Sequence, residues 1–205
     1  MRAVRRGPEP QLLTSLTLVH PDRTWDSSGE PEVHAAIVGG LRHQQGNVCA
    51  YCERILVLGG RVEHVHPKSI QHCDVRPSSN HNYDWLNLLL VCVSSTHCDG
   101  PKSDKHLCEA VVFPDELLRD LAYIAVNSLT GEVAPADGLE PAVRGRLENA
   151  IAELNLNDPE LAELRLATIS MIRNELAESG RVDLARHRAS VSGGFPSTIE
   201  AYLKP

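Results

Sequence analysis

Four short stretches between residues 49 and 102 contain most of the reactive side chains of this chain. They read CAYCE at 49–53, VEHVHPKS at 62–69, YDWLNLLLVC at 83–92 and HCDGPK at 97–102. Together they place four cysteines around a Glu-His pair, an Asn in an apolar run, and a closing Asp and Lys. We interpret this region as a small metal-stapled site, and the remainder of the chain as the structure that holds and presents it.

The cysteines occur in two pairs, a pattern typical of structural zinc sites. Cys49-x-x-Cys52 places two thiols on one tight turn, and Cys92 and Cys98 form a second pair farther along the chain. We predict one tetrahedral Zn²⁺ held by these four residues, with His97 as an alternative ligand. Two other readings remain open: C-x-x-C also occurs in redox proteins, and Cys92 lies in an apolar run that suits a buried thiol.

The composition favours an ordinary globular protein. Hydrophobic residues make up 42% and charged residues 23% of the 205 residues, and the longest apolar run, 86–93, is too short for a bilayer. The N-terminal sequence MRAVRRGPEP has no hydrophobic segment behind its arginines, so we expect a cytoplasmic protein with no membrane partner. In that reducing compartment, six cysteines favour metal binding over disulfides.

The net charge of −7 counts against a simple sequence-reading DNA-binding protein. It does not exclude a metal-dependent nuclease, because a bound divalent cation supplies local positive charge that the sequence count omits.

Periodicity and punctuation predict an α+β fold. Glycine pairs or Gly-containing turns predict hairpins around Gly59-Gly60 and Thr130-Gly131, whereas residues 1–30 are expected to be irregular. Apolar stripes with capping residues predict helices over residues 31–45, 141–154, 159–179 and 196–203. We divide the chain into an N-terminal arm and helix (1–46), a core (47–110), and a hairpin plus helical region (111–205) that packs on the core or on a partner.

The Glu63-His64 pair is a candidate for a functional site because it lies on the strand predicted after Gly59-Gly60. Adjacent residues of a strand point to opposite faces, so a local distortion such as a bulge would be needed to bring both into one site.

Taken together, the four motifs resemble those of the HNH endonuclease family over about residues 47–106. They are CAYCE, VEHVHPKS, YDWLNLLLVC, and HCD with its following Lys. Within that family the likeness is to the PtuB-like HNH proteins of retron and Septu anti-phage systems. The resemblance implies a ββα-metal (His-Me finger) core, carrying a structural zinc knuckle and surrounded by α-helices.

The resemblance also assigns roles to individual residues. His64 matches the general base that activates water, and Glu63 matches an acidic ligand of a catalytic Mg²⁺ or Mn²⁺. Asn87 matches the residue that braces the loop and orients the histidine. Asp99 occupies the third signature position, where His or Asn is more common, and a carboxylate there is still a good ligand for a hard cation.

Lysines near these motifs are candidates for phosphate contacts. We expect Lys102, close to Asp99, to take part in catalysis and phosphate binding, and Lys68 to contact phosphate. Lys105 and His106 are further candidates.

The leading hypothesis is therefore a metal-dependent HNH endonuclease acting on DNA or RNA, the effector of a retron- or Septu-type anti-phage system. The resemblance implies as partners a PtuA-like ATPase and a retron reverse transcriptase with its RNA–DNA product. The alternative is a catalytically weak or inactive HNH-like zinc module that serves as an adaptor for the ATPase. A redox protein based on C-x-x-C is a third reading, but the βαβ pattern expected for it is missing.

Overall fold

The computed structural model describes residues 1–26, 28–57, 59–68, 82–105, 107, 114, 117 and 123–203. Helices dominate these ranges, and the strands form two sheets of two strands each. The helices are α1 (Gln11–Val19), α2 (Pro31–Gln45), α3 (Asp99–Lys102), α4 (Pro141–Glu153), α5 (Pro159–Ser179), α6 (Val182–Ser192) and α7 (Pro196–Leu203). The strands are β1 (Arg61–His64), β2 (Leu88–Val91), β3 (Ile124–Val126) and β4 (Val133–Pro135).

The central sheet is the antiparallel pair of β1 and β2. Arg61 lies opposite Val91, and His64 lies opposite Leu88. All four residues of β2 are buried, as an apolar LLLV segment covered on both faces requires. One turn of 3₁₀ helix, Trp85–Asn87, leads into β2, and α3 follows it along the chain. This mixture of helices with a small strand pair is consistent with an HNH-type α+β fold, while the metal core itself stays a prediction.

The hairpin predicted around Gly59-Gly60 is wrong in its pairing. The strand after the glycines is β1, but β1 pairs with β2, and residues 55–57 form no strand. Before the glycines, Ile55 makes an isolated bridge with Val48 instead. Gly60 has φ 125°, and a Cβ at this position would lie 3.0 Å from Cγ of Leu90 in β2. Glycine therefore serves here to bring β1 close to a fully apolar neighbour, not to close a turn.

The second predicted hairpin is confirmed as β3 and β4, in which Val126 pairs with Val133. Its turn contains Gly131 with φ 75°, and a Cβ there would lie only 2.1 Å from the carbonyl oxygen of Ala162 in α5. The turn therefore needs glycine for its backbone conformation and for its close approach to α5.

The predicted helices over 31–45, 159–179 and 196–203 are confirmed at both ends, and α4 stops one residue before its predicted end. Gly46 and Gly180 end α2 and α5 in the left-handed conformation. Asp158 caps α5 by accepting a hydrogen bond from the backbone N–H of Glu160 at 3.0 Å. These boundaries follow from local chemistry, which is why the sequence predicts them.

Three of the described helices were not predicted from periodicity: the four-residue α3, α1 and α6. The irregular stretch expected over residues 1–30 contains α1, in which Leu13 and Leu16 face the core. Helix α6 follows Gly180 and buries only Ala185 and Ala189, so its apolar stripe is too weak to stand out in the sequence.

One large cluster of buried apolar side chains joins most of these elements. It extends from Leu13 in α1 through Leu89 in β2 to Leu147 in α4, each fully buried. Burial of a leucine side chain contributes about 1.5–3 kcal/mol. The cluster draws on all three segments proposed from the sequence, whose boundaries stay a prediction. A smaller cluster packs α5, α6 and α7 against one another.

Candidate metal centre and adjoining cleft

The four predicted cysteine ligands lie together and are all buried. Their sulfurs fall within 4.8 Å of one another, with Cys49 Sγ 4.0 Å from Cys98 Sγ and Cys52 Sγ 3.7 Å from Cys92 Sγ. A tetrahedral ion with Zn–S bonds of about 2.3 Å would hold sulfurs about 3.8 Å apart. None of the four forms a disulfide. The donor set and its spacing therefore fit a zinc ion.

The C-x-x-C turn is held against β2 by Gln45, the last residue of α2. Its amide nitrogen donates to the carbonyl oxygens of Val48 at 3.0 Å and Leu90 at 2.6 Å, and its amide oxygen accepts from Leu90 N–H at 2.8 Å. Ala50 N–H also donates to the Leu90 carbonyl at 3.0 Å. The end of α2, the cysteine turn and β2 are thus one hydrogen-bonded unit.

Burial has a clear electrostatic effect on the cysteines. It raises the pKa of the Cys52 and Cys98 thiols, because a thiolate loses its hydration in the interior. A bound cation would compensate for that loss, since zinc deprotonates its thiol ligands. The four cysteines are consequently better suited to holding a metal than to acting as exposed redox thiols.

His97, the alternative ligand, lies at one edge of the cysteine cluster. Its Nδ1 is 3.4 Å from Cys98 Sγ and 3.7 Å from Cys92 Sγ, but it does not belong to the group of four whose ligand atoms all lie within 4.8 Å. The geometry thus favours four cysteine ligands with His97 beside them.

An open cleft of about 240 Å³ lies beside β1 and α3. It is lined by Glu63, His64, Lys68 and Asp99 among the predicted site residues, and by Arg61. The structure therefore brings the Glu-His pair and the closing Asp to one cavity, as the motif predicts, although their functional roles remain predictions.

Lys102 is the most buried charged residue beside this cleft, with 1% of its surface exposed. Its ammonium lies 2.5 Å from Glu63 Oε1 and donates to the backbone carbonyl of His64 at 3.0 Å. Burial raises the pKa of the Glu63 carboxyl, and the Lys102 charge opposes that rise. Lys102 therefore fixes α3 to β1 through the two residues of the Glu-His pair.

His64 is held by its surroundings on two sides. Its Nε2 lies 2.9 Å from the carbonyl oxygen of Asn82, and Trp25 packs against the imidazole with ring centroids 4.8 Å apart at 83°. The pKa of His64 is lowered to about 4, mainly by burial and in smaller part by the positive charges of Lys68 and Lys102, against the raising effect of the Asn82 carbonyl. The imidazole is therefore neutral at pH 7.

Asn87 is fully buried and bonds to the backbone of His66 in both directions. Its amide oxygen accepts from His66 N–H at 2.7 Å, and its amide nitrogen donates to the His66 carbonyl at 3.1 Å. The Asn87 carbonyl also accepts from Val65 N–H at 2.9 Å. These bonds fasten the segment that follows His64, which is the location expected of a bracing residue.

The two predicted carboxylate ligands of a catalytic ion each face a protein cation in this structure. Glu63 pairs with Lys102, and Asp99 Oδ2 lies 3.0 Å from Arg61 Nη1. Within the described residues, no group of three ligand atoms closer than 4.8 Å includes either carboxylate. The donor atoms suit a hard cation, but this arrangement does not fit a preformed Mg²⁺ or Mn²⁺ site.

The other lysine and histidine candidates differ in their placement. Lys68 is exposed at the cleft, whereas Lys105 forms an exposed pair with Glu153 at 2.7 Å. His106 lies outside the described residues.

Two residues at the site were missed by the sequence analysis. Arg61 carried a signal, because it stands two positions before Glu63 and therefore on the same face of a strand. Trp25 lies in a turn-rich loop far from the motif, and nothing in the sequence connects it with His64.

Comparison with known proteins gives one informative relative. No protein-family model matches the chain. The Escherichia coli protein named "Retron Ec83 putative HNH endonuclease" is 25% identical over 163 residues, which cover 66% of this chain and 62% of that protein. The match thus spans less than two thirds of the relative's length. This similarity supports the HNH endonuclease family, in its retron-associated branch, and a nuclease function in general.

None of the described helices is long and apolar enough to cross a bilayer.

Proposed function

We propose that this protein is an HNH-type endonuclease that hydrolyses phosphodiester bonds in the cleft beside β1 and α3, with His64 as its general base. The observation that carries the proposal is the position of His64. This neutral imidazole lines an open cavity, and its Nε2 contacts a backbone carbonyl oxygen. The retron relative named above supports the reaction class.

The hydrogen bond to Asn82 defines which nitrogen acts. A carbonyl oxygen only accepts hydrogen bonds, so Nε2 of His64 carries the proton and Nδ1 keeps the lone pair. Nδ1 is then the atom that takes a proton from water. A pKa of about 4 keeps this base unprotonated at pH 7. The negative charge of a phosphate in the cleft favours the imidazolium and so strengthens the base when substrate is bound.

Cationic side chains at the cleft supply phosphate contacts. Lys68 and Arg61 are exposed at its lining, so both can contact a phosphodiester without leaving the protein surface. Lys102 is buried on Glu63 and therefore acts on the reaction by holding β1 and α3 together, not by touching substrate. The four cysteines hold structural zinc, which keeps the C-x-x-C turn on β2. Dependence on Mg²⁺ or Mn²⁺ remains a prediction from the resemblance.

A cleavage panel tests this proposal. Purified protein is incubated with single- and double-stranded DNA and RNA, with Mg²⁺, Mn²⁺ or no added ion. His64→Gln should lose at least about 100-fold in cleavage rate, the range expected for a lost general base. The matched control is His187→Gln on exposed α6, which should cleave at the wild-type rate. Equal rates for the His64→Gln and wild-type proteins would reject the assignment.

A second function, a non-catalytic adaptor, is favoured by the ion pairs at the cleft. Both carboxylates that would hold a catalytic ion are paired with protein cations, Glu63 with Lys102 and Asp99 with Arg61. An adaptor binds its partner without cleaving any nucleic acid in the panel. Cleavage that disappears with His64→Gln would exclude this function.

The resemblance further suggests a role in anti-phage defence with a PtuA-like ATPase, and with a retron reverse transcriptase and its RNA–DNA product. Co-expression followed by affinity purification tests these partners. Recovery of the ATPase in a stable complex would support this role, and failure to bind at micromolar concentration would count against it.

A further inference from the structure

His97 is a buried polar residue with one ring nitrogen at the cysteine cluster and the other, Nε2, on the opposite side. The side chain is fully buried, and its Nε2 has no hydrogen-bond partner among the residues that the structure describes. Leaving a buried polar atom unsatisfied costs about 1–3 kcal/mol. Nδ1 faces the sulfurs of Cys92 and Cys98. If the four cysteines hold zinc as thiolates, they would accept a hydrogen bond from Nδ1, and Nε2 would then present a lone pair.

That lone pair points toward two carboxylates at the start of α5. The ligand atoms of His97, Asp158 and Glu160 all lie within 4.8 Å of one another, with Nε2 3.9 Å from Glu160 Oε2. Carboxylates are acceptors too, so neither can satisfy an unprotonated nitrogen. A cation between the three groups would satisfy all of them.

Both carboxylates also have partners in the protein, including a long contact of 3.5 Å from the Asn155 side-chain amide to Asp158 Oδ2. Asp158 Oδ1 caps α5 at Glu160 N–H, and Glu160 Oε1 pairs with Arg54 Nη1 at 3.0 Å. These contacts leave Glu160 Oε2 toward His97. Asp158 is 7% exposed, whereas the side chain of Glu160 is 56% exposed, so one side of the cluster is open to water and to an incoming ion.

The two segments that carry these ligands are fastened to each other independently of any ion. Cys98 N–H donates to the Leu154 carbonyl at 2.9 Å, and the Asn155 side-chain amide donates to the Thr96 carbonyl at 2.7 Å. The site is therefore built into the contact between the cysteine loop and the turn before α5.

The charge balance also favours a cation. A zinc ion bound by four thiolates carries a formal charge of −2, and Asp158 and Glu160 add two negative charges beside it. The structure identifies two nearby cations. Arg54 forms an ion pair with Glu160, and the charge of Arg165 interacts with those of Cys52 and Cys98. We propose that His97, Asp158 and Glu160 form a second divalent-metal site, suited to Zn²⁺, with water completing the coordination.

One nitrogen and two carboxylate oxygens are a ligand set that zinc accepts, and three protein ligands leave a position for water. Such an ion joins the cysteine loop to the N-terminus of α5 and relieves the unsatisfied imidazole. The proposal does not depend on nuclease activity.

Zinc stoichiometry tests it. The wild-type protein, equilibrated with micromolar Zn²⁺ and passed through a desalting column, should contain two zinc ions per chain by elemental analysis. Asp158→Asn/Glu160→Gln should contain one, because asparagine preserves the helix cap while both anionic ligands are lost. Glu163→Gln makes the same substitution as Glu160→Gln at an exposed residue of the same helix that is outside the cluster, and should retain two.

Two further measurements keep the test decisive. Calorimetric titration of zinc into wild-type protein already holding one ion should show one further site, weakened at least about tenfold in Glu160→Gln alone. Cobalt substitution should give one sulfur-rich and one sulfur-free spectrum. One zinc ion per chain in the wild-type protein, or equal stoichiometry in the wild-type and double-variant proteins, would overturn the proposal.

Discussion

The cysteine cluster and the cleft are adjacent along the chain but differ in how their groups are satisfied. The sulfurs of Cys49 and Cys98 lie 4.0 Å apart and those of Cys52 and Cys92 lie 3.7 Å apart, so the cysteines face one another. In the cleft, Glu63 and Asp99 are each paired with a cation of the protein. The cysteine cluster therefore calls for an external ion to stabilise it, whereas the cleft balances its own charge.

This difference has consequences for the stability of the protein. Removing one ligand from a site that depends on metal removes the binding free energy of the ion from folding. Removing one partner of a buried ion pair leaves the other charge buried without a counter-ion, which destabilises the fold. Replacing that second charge as well removes the destabilising charge. The two regions should therefore respond in opposite ways to paired substitutions.

The largest effect is expected at the cysteine cluster. Cys52→Ser removes a zinc ligand and should lower the zinc content and abolish cooperative unfolding, because structural zinc contributes about 10–16 kcal/mol of apparent binding free energy. Elemental analysis and thermal denaturation measure both. The control is Cys73→Ser, the same change at a cysteine that belongs to neither of the two pairs and lies outside the described residues; it should leave both unchanged. A Cys52→Ser protein with normal zinc content and melting temperature would exclude the four-cysteine site.

The next effect concerns the buried pair at the cleft. Lys102→Met should lower the free energy of unfolding by about 3–5 kcal/mol, because Glu63 is left buried without its cation. The double variant Lys102→Met/Glu63→Gln should recover most of that loss in urea denaturation. Lys105→Met, which breaks the exposed pair with Glu153, should cost less than about 1 kcal/mol. Strict additivity of the two cleft substitutions would show that the residues do not interact.

A smaller, pH-dependent effect is expected at His64. Its pKa is about 4 in the folded protein and about 6.5 unfolded, so between these values the unfolded chain binds the extra proton. Stability should therefore fall as pH drops from 6.5 to 4, by up to about 3 kcal/mol from this residue. His64→Gln should flatten the dependence in urea titrations at pH 7 and 5, whereas exposed His187→Gln should not. An unchanged slope in His64→Gln would contradict the burial effect.

The sequence predicts local features of this fold better than non-local pairings. Pro159 with Gly180 marks the ends of α5, because proline fits a first helical turn and glycine permits the left-handed conformation at the end. The predicted pairing of β1 with residues 55–57 was wrong because strand pairing is decided by residues far apart in the chain. The apolar β2 buries more apolar surface by pairing with β1 than residues 55–57 would.

The same limit holds at the candidate site. The two cysteine pairs predict that four thiols meet, because a structural zinc site takes its four ligands from two such pairs. The pairing of Glu63 with Lys102 was not predicted, because sequence shows which charges exist but not which counter-ion lies within reach. The interaction of Trp25 with His64 likewise depends on how the loop before α2 folds back.

The smallest effect on stability is expected for the exposed pair at the cleft, Arg61 with Asp99. The Arg61 side chain is 63% exposed, so solvent screens the pair, and Arg61→Gln should change the free energy of unfolding by less than about 1 kcal/mol. If the cleft binds phosphate, the same variant should weaken nucleic-acid binding at every sequence and reduce the salt dependence by about one ion. Fluorescence anisotropy at several salt concentrations measures this, with Arg173→Gln, an exposed arginine of α5, as the control. An Arg61→Gln protein that loses several kcal/mol of stability, with unchanged salt dependence, would make this pair structural and leave Lys68 as the phosphate contact.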